Sequence, residues 1–137
     1  MISRSTQFED FGNTNAFRIL KTYRKKILSF NDDIQGTACI TLAGVLSALR
    51  VTGKPLKDQK IMFLGAGEAG TGIGKLIGLA LVDKSGIQLE EALKACYFVD
   101  SKGLVCKSRT DLQHHKVEFA HDVPFQPNLL AAVKALK

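Results

Sequence analysis

Phe63-Leu64-Gly65-Ala66-Gly67-Glu68-Ala69-Gly70 is the stretch on which the reading of this chain turns. A short apolar run, Ile61 to Leu64, opens into G-x-G-x-x-G and then into a segment of helical character. Gly65 permits a tight turn off a strand, Gly67 has no Cβ to obstruct a pyrophosphate, and Gly70 lets a helix pack closely on a sheet. The free N–H groups at the start of that helix suit phosphate oxygens. A glycine-rich turn also serves plain strand–helix junctions, so the pattern needs support. Tyr97-Phe98-Val99-Asp100 gives it, as a second strand ending in an acid. That acid lies beyond the usual spacing of about 20 residues, so the linking segment must be longer than standard.

Outward from this loop, Lys60 to Leu64 reads as a strand and Ala69 to Val82 as a helix with Ile73, Leu76, Ile77 and Leu81 inward. Gly70, Gly74 and Gly78 recur every four residues along that helix. Each costs up to about 1 kcal/mol relative to alanine, which predicts compensation by close backbone packing. Leu89 to Ala95 reads as a second short helix and Cys96 to Val99 as the second strand. Lys107 to His121 is polar, a loop or frayed helix, with His114, His115 and His121 expected at the surface. Pro127 suits the first turn of a last helix bearing Leu129, Leu130, Val133 and Leu136.

Upstream, Gln7 to Phe11 resembles the end of a strand. Asn13 is placed to cap a helix carrying Phe17, Leu20, Tyr23 (or Arg24) and Ile27 on one face. An apolar helix follows from about Gly36 to Arg50, expected to be buried on most sides, and Thr52-Gly53-Lys54-Pro55 stops it. The fold class is α/β: part of a doubly wound parallel sheet, Rossmann-like, with a piece of a preceding α/β domain. Two strands and three helices fall short of the roughly six strands of a complete domain, which predicts a piece of something larger.

The chain has 137 residues and a net charge of +6. Its basic residues are scattered apart from Lys21 to Lys26, without the interleaved aromatics of a nucleic-acid face, so a solvated helix surface is expected there. Cys39, Cys96 and Cys106 lack C-x-x-C spacing and read as buried, reduced thiols of an intracellular protein. No N-terminal run resembles a signal peptide, and Thr37 to Leu49 is shorter than the roughly 20 residues of a membrane span. These features predict a soluble chain without a membrane or nucleic-acid partner, in the cytoplasm, with mitochondrion and plastid left open.

Two carboxylate pairs, Glu9-Asp10 and Asp32-Asp33, each adjoin a phenylalanine or its segment. Hard divalent cations such as Mg²⁺ or Mn²⁺ take oxygen ligands, and two such pairs supply three ligands with one residue to spare. Alternatively, Asp32 or Asp33 caps the apolar helix and Glu9-Asp10 is a solvated turn.

Several motifs together resemble the malic enzymes in that family's order. They are Gln7-Phe8-Glu9-Asp10-Phe11, Asn15-Ala16-Phe17-Arg18, Phe30-Asn31-Asp32-Asp33-Ile34-Gln35-Gly36-Thr37-Ala38, Gly65-Ala66-Gly67-Glu68-Ala69 and Val99-Asp100-Ser101-Lys102-Gly103-Leu104. The resemblance implies oxidative decarboxylation of L-malate to pyruvate and CO₂, with NADP or NAD as cofactor and Mg²⁺ or Mn²⁺ as metal. It implies Glu9, Asp10 and Asp33 as metal ligands and Asp32 as the catalytic aspartate that interacts with a lysine. It also implies Gly65, Ala66, Gly67, Glu68, Ala69, Gly70 and Asp100 at the cofactor.

Asp100 alone favours NAD, through a ribose hydroxyl. Ser101, Lys102 and Lys116 are basic or polar groups suited to a 2′-phosphate, and tilt the expectation to NADP. The family's catalytic tyrosine and lysine belong upstream of Gln7. The chain is therefore divided into residues 1–31, the edge of a substrate and metal domain, and residues 32–137, the first part of the nucleotide domain. A homo-oligomer is expected for the complete enzyme, and the 137 residues alone are expected to be inactive. The competing reading is a catalytically inactive nucleotide-binding or interaction fragment.

Overall fold

The computed structural model describes residues 4–136, so the polar lead-in at residues 1–3 and Lys137 lie outside the described residues. Two small sheets divide the chain. In the first, β1 (Thr6–Phe8) and β2 (Ser29–Asn31) run parallel, with Gln7 opposite Phe30. The helix between them, α1 (Gly12–Tyr23), is the crossover that parallel pairing requires. In the second, β3 (Ile61–Leu64) pairs in parallel with β4 (Cys96–Asp100), and β4 pairs antiparallel with β5 (Gly103–Leu104). Between β3 and β4 run α3 (Glu68–Ser85) and α4 (Leu89–Leu93). This is a βαβ unit with an added short helix, the longer link that the position of Asp100 demanded. The α/β class with parallel sheet pieces stands, with β2 and β5 as strands the sequence reading did not name.

The glycines at every fourth position of α3 mark its packed face. A Cβ on Gly70 would stand 2.8 Å from the Gly65 carbonyl oxygen, one on Gly74 2.8 Å from the Phe98 ring, and one on Gly78 2.7 Å from Leu93. Ile77, Leu81, Leu93, Phe98, Val105 and Phe119 form the main core around that face. Phe98 stacks on Phe63 with ring centres 4.6 Å apart and leans on Phe119 at 4.7 Å.

The apolar helix α2 (Thr37–Thr52) differs from expectation. Leu42, Val45, Leu46 and Leu49 pack on the core, but Ala38 is its one buried residue, and Ile40 and Val51 are 74% and 89% exposed. Only α3 lies against it as a long helix, so a helix apolar all round has a single face covered. A π-helical turn, Asp32–Gly36, joins its N-terminus. The combined 21 residues make one helix long and apolar enough to cross a membrane by length and composition. Thr37 to Leu49 alone had suggested too short a run. Since one face of this helix packs on the α/β core, we read it as a core helix of that domain.

The last helix, α5 (Leu129–Ala135), starts two residues after Pro127 and is capped by Asn128, whose side-chain oxygen accepts the Ala131 N–H at 3.0 Å. Leu129 and Leu136 pack with Val99, Leu104 and Ala132, whereas Leu130 and Val133 face outward. Cys96 and Cys106 are buried and Cys39 is exposed. Burial pushes the Cys96 thiol up to about 12, so it stays protonated.

Candidate functional site

Gly65 leaves β3 at φ +113°, a conformation open to glycine, while its N–H still donates to Val99 O at 2.8 Å. Ala66 is buried and Gly67 immediately precedes α3. Thr71 ties the first turn down, its N–H and hydroxyl both donating to Gly67 O. The loop therefore places the N-terminal end of an 18-residue helix at the carboxyl edge of the parallel strands. This is where open α/β sheets bind ligands.

Two residues outside the loop hold it. His115 was expected at the surface but is buried. Its Nε2 lies 3.1 Å from Ala66 O, and Phe17 stacks on its ring at 4.8 Å. His121 is also buried, with Nε2 2.8 Å from Cys96 O and its ring stacked on Tyr97 at 3.9 Å. Burial pushes both imidazoles below their ordinary pKa. They occupy and flank a 3₁₀ segment, His114–Phe119, whose Phe119 is anchored in the core. The polarity of residues 107–121 concealed this, because the carbonyls and aromatic rings that cover the two imidazoles are distant in the chain.

Asn13 is the second holder. Helix α1 begins at Gly12 without a side-chain cap, so Asn13 does not cap its own helix. Its Oδ1 instead accepts the Glu68 N–H at 2.8 Å, capping α3 from 55 residues away. Helix α1 also ends at Tyr23, which leaves Ile27 outside it and exposed.

Asp100 ends β4 as expected, and its carboxylate is already engaged. Arg109 donates through both terminal nitrogens at 2.9 and 3.2 Å, Lys116 through Nζ at 2.8 Å, and Lys102 through its backbone N–H at 2.9 Å. Burial alone would raise the Asp100 pKa, but the hydrogen bonds from Arg109 and Lys116 prevail and hold it at about 2. Arg109 also pairs with Asp111, which Lys102 meets at 2.9 Å, while Ser101 is exposed without a recorded partner. Arg109 was not named from the sequence. Nothing in the spacing separates it from the other scattered basic residues.

The four carboxylates resolve unevenly. Asn31, fully buried, caps the Asp32–Gly36 turn by accepting the Ile34 N–H at 2.9 Å, and its own N–H donates to Gln35. Asp32 and Asp33 are thus relieved of the capping role. Asp33 Oδ2 accepts the Asp10 N–H at 2.8 Å, which brings the two pairs together across 23 residues. Asp10 takes φ +61°, unusual for a residue with a Cβ. Glu9 is exposed and accepts from Gln7 Nε2 at 3.1 Å. Asp32 folds back over Gly36, where any Cβ would collide with its Oδ1. No three His, Cys, Asp or Glu side chains among the described residues close on one point at metal-binding distance. Asp10 and Asp33 are joined; Glu9 is not.

Glu68 belongs to the same neighbourhood. Burial, then the charges of Asp33 and Asp10, raise its carboxyl above the ordinary value. Its Oε2 is shut from water with no hydrogen-bond partner.

A family model described as malic enzyme, NAD binding domain, matches residues 34–137. The chloroplastic NADP-dependent malic enzyme of Flaveria pringlei is 54% identical over 132 residues, which are 96% of this chain and 20% of that protein. The NADP-dependent malic enzyme of Homo sapiens is 52% identical over 131 residues, 96% of this chain and 23% of that one. The solved malic enzyme of Entamoeba histolytica superposes with a TM-score of 0.68 at 31% identity, covering 85% of this chain and 24% of its own. The NAD-dependent malic enzyme from Thermotoga maritima gives 0.68 at 30% identity, covering 86% and 30%. The chain spans about a fifth to a quarter of the length of the curated relatives it matches.

Proposed function

The chain belongs to the malic enzyme family through its nucleotide-binding domain, and from that premise we propose that it is part of an oxidoreductase that converts L-malate to pyruvate and CO₂ with reduction of NADP. The observation that carries this reading is the Gly65–Gly70 loop seated between β3 and α3, with Asp100 ending the neighbouring parallel strand. Residues 1–31 form the edge of the substrate and metal domain in this reading, and residues 32–137 the nucleotide domain. Cytoplasm is the compartment we assign and a homo-oligomer the state of the complete enzyme.

NADP is favoured over NAD by the surroundings of Asp100. Its carboxylate is occupied by Arg109 and Lys116, which weakens its case as a ribose acceptor. The same two cations, with Ser101 and Lys102 beside them, suit a 2′-phosphate bearing nearly two charges.

The donor chemistry fits a divalent cation. Asp33 accepts the backbone N–H of Asp10, which sets two carboxylate-bearing residues side by side; Glu68 adds a buried carboxylate oxygen lacking any partner, and Glu9 stands exposed one residue from Asp10. Asp10, Asp33 and Glu9 would hold Mg²⁺ or Mn²⁺. When bound, the cation would supply polarisation of the malate oxygens and the nicotinamide would supply a hydride acceptor. The chain's own residues position these events. The loop amides and the α3 end orient the pyrophosphate, and Lys116 and Arg109 orient the adenosine end. Asp32 is the residue we assign to the catalytic lysine; no salt bridge recorded among the described residues engages it.

The test is fluorescence titration of the purified chain with NADPH and NADH. NADPH should bind more tightly, and Lys116→Gln should weaken it about ten-fold, the loss of one charge-assisted contact of roughly 1.4 kcal/mol, with little effect on NADH. Equal binding of the two nucleotides before and after substitution would refute the assignment.

A further inference from the structure

Ala66 and Gly67 share one trans peptide plane, so the Ala66 carbonyl oxygen and the Gly67 N–H point to opposite sides of it. On the carbonyl side stands His115, with Nε2 3.1 Å from Ala66 O. On the other side the Gly67 N–H has no acceptor among the described residues. The N–H groups of Gly65 and Glu68, by contrast, are taken by Val99 O and Asn13 Oδ1. Gly67 thus carries a free donor at the start of α3.

The direction of that peptide is not set by its own residues. Gly67 sits at φ −87°, and a flip of the plane would carry it to positive φ, which glycine accepts about as readily. A flipped loop would turn a carbonyl toward a phosphate in place of an N–H. A contact from outside the loop has to choose, and His115 supplies it at Ala66 O. Its proton is fixed there. A carbonyl only accepts, so Nε2 donates, and Nδ1, shut from water without a partner, carries the lone pair. The ring is held by Phe17, stacked at 4.8 Å. Its 3₁₀ segment is held by Lys116 on Asp100 at 2.8 Å and by Phe119 in the core.

We propose that His115 is a positioning residue of the nucleotide site: by holding the Ala66 carbonyl it aims the Gly67 N–H at the pyrophosphate. The proposal rests on the reading of the Gly65–Gly70 loop as the pyrophosphate site given above. Two consecutive side chains of one 3₁₀ segment then serve separate parts of one ligand. Lys116 meets the adenosine end, where NADP and NAD differ. His115 acts through the loop on the pyrophosphate, which the two nucleotides share. Lys116 sets the choice between them, and His115 sets the affinity for both.

Titration of the purified chain with three probes tests this: NADPH and NADH by fluorescence, and adenosine 2′-monophosphate by displacement of NADPH. The last keeps the ribose phosphate and lacks the pyrophosphate. His115→Phe keeps a ring to stack on Phe17 and removes the donor. It should weaken NADPH and NADH by the same factor, about ten-fold for one hydrogen bond to a charged group, and leave adenosine 2′-monophosphate unchanged. His115→Gln can still offer an N–H without the fixed direction of the ring. It should lose about three-fold in the same dinucleotide-only pattern, and it carries the test should the phenylalanine variant not fold. Unchanged affinity for both dinucleotides in the variant that folds overturns the role, as does a loss confined to NADPH. Equal weakening of all three probes also overturns it, since His115 would then merely support the segment that bears Lys116. If the unsubstituted chain binds neither dinucleotide, the nucleotide reading itself falls and this inference with it.

Discussion

Replacing Gly72 by alanine tests the junction on which both the loop and the carboxylates depend. A Cβ there would sit 2.5 Å from Ile34 O, 3.0 Å from Ile34 Cγ2 and 3.2 Å from Ile34 C, against at least 3.4 Å for ordinary contact. The nearest atom is backbone and cannot rotate away, so α3 and the Asp32–Gly36 turn must separate. Overpacking of this kind costs about 1–3 kcal/mol. Helix propensity returns up to about 1 kcal/mol of it. The net is a loss of roughly 1–2 kcal/mol, with the Asp33 turn displaced.

Gly44 supplies the internal control. It lies inside α2, and a Cβ there meets nothing within 4 Å. Gly44→Ala should gain about 0.5–1 kcal/mol from propensity alone. Urea unfolding followed by circular dichroism then separates the two midpoints by roughly 1–2 M at an m-value near 1.5 kcal/mol/M. Gly72→Ala should also weaken Mn²⁺ binding, while Gly44→Ala leaves it unchanged. If the two variants stabilise the chain equally, the close approach of α3 to Ile34 is wrong, and the placement of Asp33 by that helix goes with it.

Acid should unfold the chain in two stages. Buried His115 and His121 have folded pKa values below the unfolded one, so their contribution is complete above about pH 6.5 and declines as pH falls below it. Asp100, at about 2 when folded, adds a second loss as pH drops from about 4 toward 2. A melting temperature that is flat from pH 7 to 5 would contradict the first stage. Arg109→Ala leaves the Asp100 carboxylate with Lys116 as its one side-chain partner; the cost should be about 2–3 kcal/mol by urea unfolding, below the 3–5 of a fully orphaned buried pair. A loss under roughly 0.5 kcal/mol would mean the pair behaves as an ordinary surface bridge. Finally, the chain spans about a fifth to a quarter of the length of its curated relatives, so with malate, Mn²⁺ and NADP it should show no reduction of cofactor. Turnover on the order of 10 s⁻¹ would refute that.

What the sequence could convey was local. The loop from Gly65 to Gly70 was legible because strand, turn and helix are contiguous and each glycine has a separate steric reason. The four-residue glycine period foretold the packed face of α3, where Phe98 and Leu93 now fill the space. His115, His121, Asn13 and Arg109 were misread or missed for one shared reason. Their partners are Ala66, Cys96, Glu68 and Asp100, between 9 and 55 residues away, and three of the four contacts use a backbone group. A polar residue that satisfies a distant backbone group carries no local pattern. Helix α2 failed in the opposite sense: continuous apolarity announced burial, but a helix cannot show from its own residues how many neighbours it will have.

The carboxylates sharpen that distinction. Asp32 and Asp33 follow a residue that caps their turn, and the capping is done by Asn31, whose side chain is fully buried. Had Asp33 been the cap, its carboxylate would have been spent on an N–H of its own helix. It is spent instead on the N–H of Asp10, an interaction that forces Asp10 to φ +61°. Strain of that kind persists only where surrounding contacts over-determine it. Here they do: β1 and β2 pair directly before Asp10 and Asp33, Asn13 is pinned to α3, and Ile34 is pinned to Gly72. The acidic pair is thus held by backbone on three sides, at a charge density that these residues alone do not neutralise. That junction sets the two acidic segments against the start of α3, which is one of the walls of the pair.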